Sequence, residues 1–454
     1  MFETYIVTTA IAILTSLFLT YQRTRDPMCP LLIFTPMLLY AYVYHPYTIH
    51  GTQEFSDLLI KAEDVEFVLI VNLASITAFC AGSSWYRRSP GDVQQFQILD
   101  GDASLRTRGR FFGLSLFLGT CSLAATCYLV STSGGPMKML MEAKPTFSSA
   151  SGYVGEMPML TFPAIFLLAA AWQGRRLTFV RILVAVYVAA PQIALSILAK
   201  RRGTIFLTVA TLAAFWYIVR NKKPNWKMIL SGVTLLGSFM FIVHANRLRM
   251  GADSSASVSE YELNSVIPGS NIVTGDEFVS SIGIILTSDH FNHHYWGSRF
   301  LVTLFIRPIP SFLWESKWYD IGYSSFKNKP GSGGMSKQQW EDVVGFKSTG
   351  GSASGFVSDA FLEWSWGGII ACYCLGFMFS WLWKRWRTRG GVWTIIYLES
   401  LILSVFLPSQ SLGAWGYRFA LLAVPTAIIY RFLVSKPIRR PIQTWQAPIS
   451  IERL

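Results

Sequence analysis

Apolar residues come in long runs along this chain, and polar residues collect in short gaps between them. A helix crossing the hydrocarbon core of a bilayer takes about 20 consecutive apolar residues. Eleven segments meet that requirement, at about 4–22, 31–49, 65–86, 111–131, 157–173, 178–199, 203–220, 227–246, 361–383, 392–408 and 417–434. The first lacks a basic leader and is followed by Arg23 and Arg25 rather than a small-residue cleavage site, so it is expected to be a span. The pattern predicts an all-α polytopic membrane protein of about eleven transmembrane helices: helices 1–8 over 1–246, a large extracytoplasmic loop over 247–360, helices 9–11 over 361–434 and a cytoplasmic tail over 435–454. No internal repeat accompanies the spans, so an inverted-repeat transporter gains no support.

Charge gives the bundle an orientation. The chain has 454 residues, 52% apolar and 14% charged, and a formal net charge of +13. Soluble domains carry about 25% charged residues. Alternate connectors hold most of the 39 Lys and Arg residues, among them Arg87, Arg88, Arg175, Arg176, Lys222, Lys223, Arg387 and Arg389. Short cytoplasmic loops accumulate such residues, which places the N-terminus outside. The net charge therefore speaks for a bilayer and against nucleic acid as the partner. The six cysteines lie in or beside apolar runs and read as buried thiols.

Some charges break the pattern. Lys200-Arg201-Arg202 forms a tight turn at the outer mouth between two spans, where a bound anion would account for three adjacent cations. Arg247 and Arg249 follow the eighth span, and at spacing i, i+2 they point different ways if helical. In the long loop, Asp289 and His290-Phe-Asn-His293-His294 could share a helix face at i, i+3, i+4 and supply a general base; a metal site is not expected. The semi-apolar stretch from Arg299 to Trp314 contains Arg307, Pro308 and Pro310, which argues for an interfacial or re-entrant piece rather than a span. Aromatics crowd this loop, including Tyr295, Trp296, Trp314 and Trp318. Such rings suit either a membrane interface or stacking on sugars, and sequence alone separates neither. Asp100-Gly-Asp102, among arginines, reads as a turn.

Three motifs together resemble the oligosaccharide repeat-unit polymerases of the O-antigen (Wzy) type, a family that includes the enterobacterial common antigen polymerase. They are Arg202-Gly-Thr-Ile-Phe-Leu opening an outward-starting span; Gly297-Ser-Arg-Phe-Leu-Val-Thr-Leu-Phe-Ile-Arg-Pro-Ile-Pro310-Ser-Phe-Leu-Trp314-Glu-Ser-Lys317; and Ser354-Gly-Phe-Val-Ser-Asp359-Ala-Phe-Leu-Glu363-Trp, re-entering the membrane after the loop. Glu315 and Trp318 stand where the family often has proline, and Lys200-Arg201-Arg202 is heavier than its usual lone arginine.

The resemblance implies a multi-pass glycosyltransferase of the bacterial inner (plasma) membrane, with its active site on the periplasmic side. It would join undecaprenyl-diphosphate-linked oligosaccharide units, donor and acceptor both lipid-linked, into a surface polysaccharide, alongside a chain-length regulator and without a cofactor. Diphosphate binding would fall to Arg202, Arg201 and Lys200, with Arg247, Arg249, Arg299, Arg307 and Lys317 in support. The base would come from His290, His293, Asp289, Asp359 or Glu363, and glycan stacking from Trp296, Trp314, Trp318 and Tyr295. The alternatives are an O-antigen ligase, whose His-Asn/Ser/Gln pair is missing here, and a lipid-linked oligosaccharide flippase, which would place its cations deep within spans.

Overall fold

The computed structural model describes residues 1–52, 55, 58, 60–86, 98–99, 104–141, 152–198, 202–222, 227–228, 231–232, 277–307, 309, 313–322, 337–345 and 355–434. Among them the chain is all helical, with no strand. The helices that matter below are α1 (Phe2–Thr24), α2 (Pro30–Leu39), α3 (Ala62–Ser83), α4 (Leu105–Thr132), α5 (Thr161–Trp172), α6 (Phe179–Leu198), α7 (Arg202–Val219), α8 (Glu277–His290), α9 (Ser298–Leu301), α10 (Lys337–Val344), α11 (Gly355–Trp364), α12 (Gly368–Arg389), α13 (Val392–Leu403) and α14 (Leu412–Leu433).

Seven helical stretches among the described residues are long and apolar enough to cross a bilayer. They are Phe2–Thr24, Ala62–Ser83, Leu105–Thr132, Val154–Trp172, Phe179–Leu198, Gly355–Arg389 and Leu412–Leu433. Gly203–Val219 and Val392–Leu403 are shorter apolar helices. The segment expected at 31–49 is helical but interrupted: α2 passes into a π-turn over Tyr40–Tyr44 and then a helix at His45–His50. Nearly all of the span expected at 227–246, and the tail from 435, lie outside the described residues.

The surface of these helices inverts the soluble rule. On α1 the exposed residues include Val7, Ile11, Leu14 and Phe18, and on α14 Val424, Ile428 and Phe432. Each set repeats at helical spacing, so each makes one apolar stripe facing outward. Water would penalise such stripes, whereas lipid tails solvate them, and the chain is accordingly a membrane-embedded helical protein. Three helices are buried all round instead: every residue of α5, Phe278–Ser288 of α8 and Thr394–Leu403 of α13. These form the centre of the bundle.

Small residues allow the closest crossing. On α12, Gly368, Cys372, Gly376 and Ser380 recur every fourth position and are all buried. The backbone of α3 packs into this stripe. A Cβ on Gly376 would lie 2.1 Å from the Phe79 carbonyl oxygen, and one on Gly82 would lie 2.2 Å from the Tyr373 carbonyl oxygen. Helices without a hydrophobic driving force in lipid gain their cohesion from such close backbone approach.

The connectors sort into two ends. At one end Asp26 Oδ2 accepts from Arg387 Nη1 at 3.0 Å and from the Trp383 indole at 3.2 Å. At the same end the Gln173 carbonyl accepts from Arg108 Nη1 at 3.0 Å, its side chain takes the N–H groups of Ile98 and Leu99, and Tyr430 donates to the Ile98 carbonyl at 2.9 Å. These are the arginine-rich connectors. The other end brings together Phe2 and His50, Gly203 and Phe406, and Gly355 and Gln410.

The long loop is more deeply folded than its composition suggests. α8 lies within it yet packs against α3, α10 and α11 as a core helix. Its Gly283 receives the Trp340 ring of α10; a Cβ there would lie 2.3 Å from that ring. α11 also begins before the expected span start at 361, and it joins α12 through a 3-10 turn at Ser365–Gly367.

Candidate functional site

The site is built around a clamp on the segment that follows α8. Asp359 and Glu363 sit at i, i+4 on α11 and so share a face. Two like charges side by side in a buried place need a cation. Arg299 of α9 supplies it: its Nε donates to Glu363 Oε1 at 2.6 Å and its Nη2 pairs with Asp359 Oδ1. All three side chains are buried. The second oxygens are also engaged. Glu363 Oε2 accepts from the Gly297 N–H at 2.9 Å, and Asp359 Oδ2 accepts from the Gly413 N–H, also at 2.9 Å. Gly413 lies in the first turn of α14, capped by Ser411, where a helix favours negative charge. Burial by itself would lower the pKa of Arg299, but the Asp359 and Glu363 carboxylates outweigh it and hold it above its ordinary value.

Backbone bonds extend the clamp. The Trp296 N–H donates to the Glu363 carbonyl at 2.7 Å, and the Tyr295 N–H to the Leu362 carbonyl at 3.3 Å. Trp296 is held in the left-handed region at φ 52°, next to Gly297 at φ 84°. For a bulky L-residue that conformation costs roughly 1–2 kcal/mol. Glycine accepts it without penalty.

A second group of cations lies beside the clamp. Arg307 stands exposed, its guanidinium 5.7 Å from the Tyr417 ring centroid. Arg418 stacks over Phe406 at 4.3 Å, donates to Gln410 Oε1 at 2.6 Å and meets Glu156 at 3.9 Å. Arg307 is close enough to both Arg418 and Lys317 to repel them. The Lys317 ammonium is taken by carbonyls: those of Ile306 at 3.5 Å, Arg307 at 3.3 Å and Ile309. It caps the end of the Ser298–Ile306 helical turn. Burial and then Arg307 lower its pKa. Gly203, in the first turn of α7, packs on the same Phe406 ring, 3.1 Å from where its Cβ would be. α7 therefore opens with Arg202 next to this cluster.

The expected site residues fall into six groups. Asp359, Glu363 and Arg299 come together, but as one saturated ion cluster: neither acid keeps an oxygen without a donor, and Arg299 spends its charge on them. Lys317 is spent on carbonyls. Arg307 is open. The histidines do not share a helix face, because α8 stops at His290 and Asn292 turns left-handed at φ 46°. Asp289, His290 and His293 are exposed, while His294 Nδ1 lies 3.1 Å from Ser288 Oγ. The aromatics differ as well. Tyr295 lies under Arg299 at 5.5 Å, the Trp314 indole donates to Asp320 at 2.6 Å, Trp318 is half-buried beside Lys317, and Trp296 is 70% exposed. Lys200, Arg201, Arg247, Arg249 and the Asp100-Gly-Asp102 turn lie outside the described residues; of Arg202 only the backbone is described.

Arg418 was absent from the sequence-derived set. It lies one residue inside the span expected at 417–434, a position that carries no signal of its own in the sequence. With α14 starting at Leu412, it sits nearly two turns in. No group of three or more His, Cys, Asp or Glu side chains among the described residues is arranged to hold a metal ion. The chain matches no family model, no curated protein and no solved structure.

Proposed function

We propose that this protein is a membrane glycosyltransferase that polymerises polyprenyl-diphosphate-linked oligosaccharide repeat units on the outer face of the bacterial inner membrane. The observation that carries the reading is the pair Arg307 and Arg418, gathered over Tyr417 and Phe406 where α7 opens with Arg202. Guanidinium groups bind phosphate oxygens bidentately and keep their charge in a partly apolar setting. A lipid diphosphate would lie at this depth with its tail in the bilayer. In the reaction the bond between the donor's anomeric carbon and the diphosphate oxygen breaks, and the diphosphate leaves with the electron pair. The acceptor hydroxyl oxygen bonds to that carbon, and its proton passes to a base. With both clamp carboxylates engaged, the base falls to His290, His293 or Asp289, which are exposed on the turn after α8. The arginines counter the charge that develops on the leaving oxygen.

Deleting the gene in its host is expected to leave single repeat units on the carrier or the core in place of a ladder. Loss of every glycan band, single units included, would make the protein a flippase instead. Arg418→Ala and Arg307→Ala, expressed to normal levels, are each expected to reduce polymer by about 10²-fold or more. A full ladder from both variants would remove the diphosphate role.

A further inference from the structure

We propose that Trp296 is the sugar-binding platform of this site, and that the Arg299–Asp359–Glu363 clamp is the positioning device that presents it. This rests on the glycosyltransferase reading and adds to it a specificity residue and the machinery behind it.

Trp296 combines three properties that conflict in a merely structural residue. It is bulky, it is held at φ 52°, and it is 70% exposed. A strained backbone persists only where its surroundings over-determine it. Here they do. Glu363 takes the Trp296 N–H on its carbonyl and the Gly297 N–H on its carboxylate, and Arg299, two residues further on, locks the same carboxylate. Three bonds to Glu363 thus fix a residue whose own ring packs on little, meeting His294 edge-on at 6.4 Å. The restraint holds the ring outward.

The neighbouring aromatics are engaged. Arg299 covers Tyr295, Asp320 takes the Trp314 indole N–H, and Trp318 is half-buried. Trp296 keeps an open ring face and an open indole edge, the combination that stacks on a sugar ring and bonds its hydroxyls. It also lies three and six residues from His293 and His290, candidates for the base.

The test uses the full chain in lipid nanodiscs, with the lipid-linked repeat units that a deletion strain accumulates as substrate. Trp296→Ala is expected to raise KM about tenfold while kcat stays within about twofold, and Trp296→Phe to restore most of the affinity. Gly297→Ala perturbs presentation without crowding, since its Cβ would come no closer than 3.7 Å to any atom, the Trp364 ring being nearest. It is expected to reproduce the KM rise and to add nothing when combined with Trp296→Ala, as is Glu363→Gln where that variant folds. Unchanged KM in Trp296→Ala, or additive effects in the double variants, would refute the platform and leave the glycosyltransferase reading standing. If deletion accumulates no lipid-linked units and the wild-type nanodiscs form no polymer, both readings fail together.

Discussion

Among the described glycines, Gly376 is the one where an added methyl group meets backbone most closely. Its added Cβ would lie 2.1 Å from the Phe79 carbonyl oxygen and 2.9 Å from both the backbone nitrogen and the Oγ of Ser83. Two of those three atoms are backbone, so no rotamer change relieves the overlap. Ordinary contact would require α3 and α12 to separate by about 1 Å, and packing attraction falls off steeply over such a gap. Overpacking of this kind costs about 1–3 kcal/mol. The reciprocal notch at Gly82 opens with it, so Gly376→Ala belongs at the upper end, about 3 kcal/mol, and Gly376→Leu is not expected to assemble. Gly113 on α4 is the control, since a Cβ there meets nothing within 4 Å. Gly113→Ala removes a helical glycine and is expected to be neutral or to stabilise by up to about 1 kcal/mol. Reversible SDS denaturation in mixed micelles, followed by helicity, compares the two. Equal midpoints for Gly376→Ala and Gly113→Ala would refute the close crossing.

Three further outcomes are expected. Asp26→Ala leaves Arg387 buried beside Trp383 without its carboxylate and is expected to cost about 3–5 kcal/mol; the double change Asp26→Asn with Arg387→Met is expected to cost less, and the same denaturation assay compares them. Gly283→Val fills the notch that receives Trp340, so hydrogen exchange over Lys337–Val344 is expected to accelerate while the bundle helices stay protected; unchanged exchange would show that α10 docks otherwise. Partial desolvation, where the exposed His50 stacks on Phe2, lowers its pKa, with Glu3 opposing. A histidine whose folded value is depressed contributes stability above its unfolded value, about 6.5, and loses it as pH falls through the folded value. Acidification below about 6.5 is therefore expected to lower the unfolding midpoint, and His50→Gln to flatten that part of the profile.

Where the sequence was informative, the signal was local. Seven of the eleven expected spans are helices long and apolar enough to cross a bilayer, legible because a lipid-facing helix needs about 20 apolar residues, and the arginine-rich connectors stand out in the sequence as short basic gaps between them. Even the stripe Gly368, Cys372, Gly376, Ser380 can be read at spacing four, although its partner helix cannot. α8 escaped notice because fourteen residues are too few for a span and a core helix that is buried all round shows no periodic face. The histidines failed as a set for a similarly local reason: spacing predicted one face, but Asn292 turned left-handed and ended the helix.

The site required the tertiary fold. Asp359 and Glu363 are a visible i, i+4 pair, yet nothing near them in the chain says that Arg299, sixty residues earlier, will neutralise them or that Gly413 will bind the remaining oxygen. Lys317, expected to support diphosphate binding, caps carbonyls eight to eleven residues away, and Arg418 lies nearly two turns into α14, which begins before the expected span. Hydropathy and charge along the chain are enough to specify a helical membrane protein with basic connectors. Which charges neutralise one another, as Arg299 does Asp359 and Glu363, and which stay exposed, as Arg307 does, emerges from the packing of the helices. Pairing depends on long-range approach of a few ångströms between helices, whereas hydropathy and charge bias act along the chain.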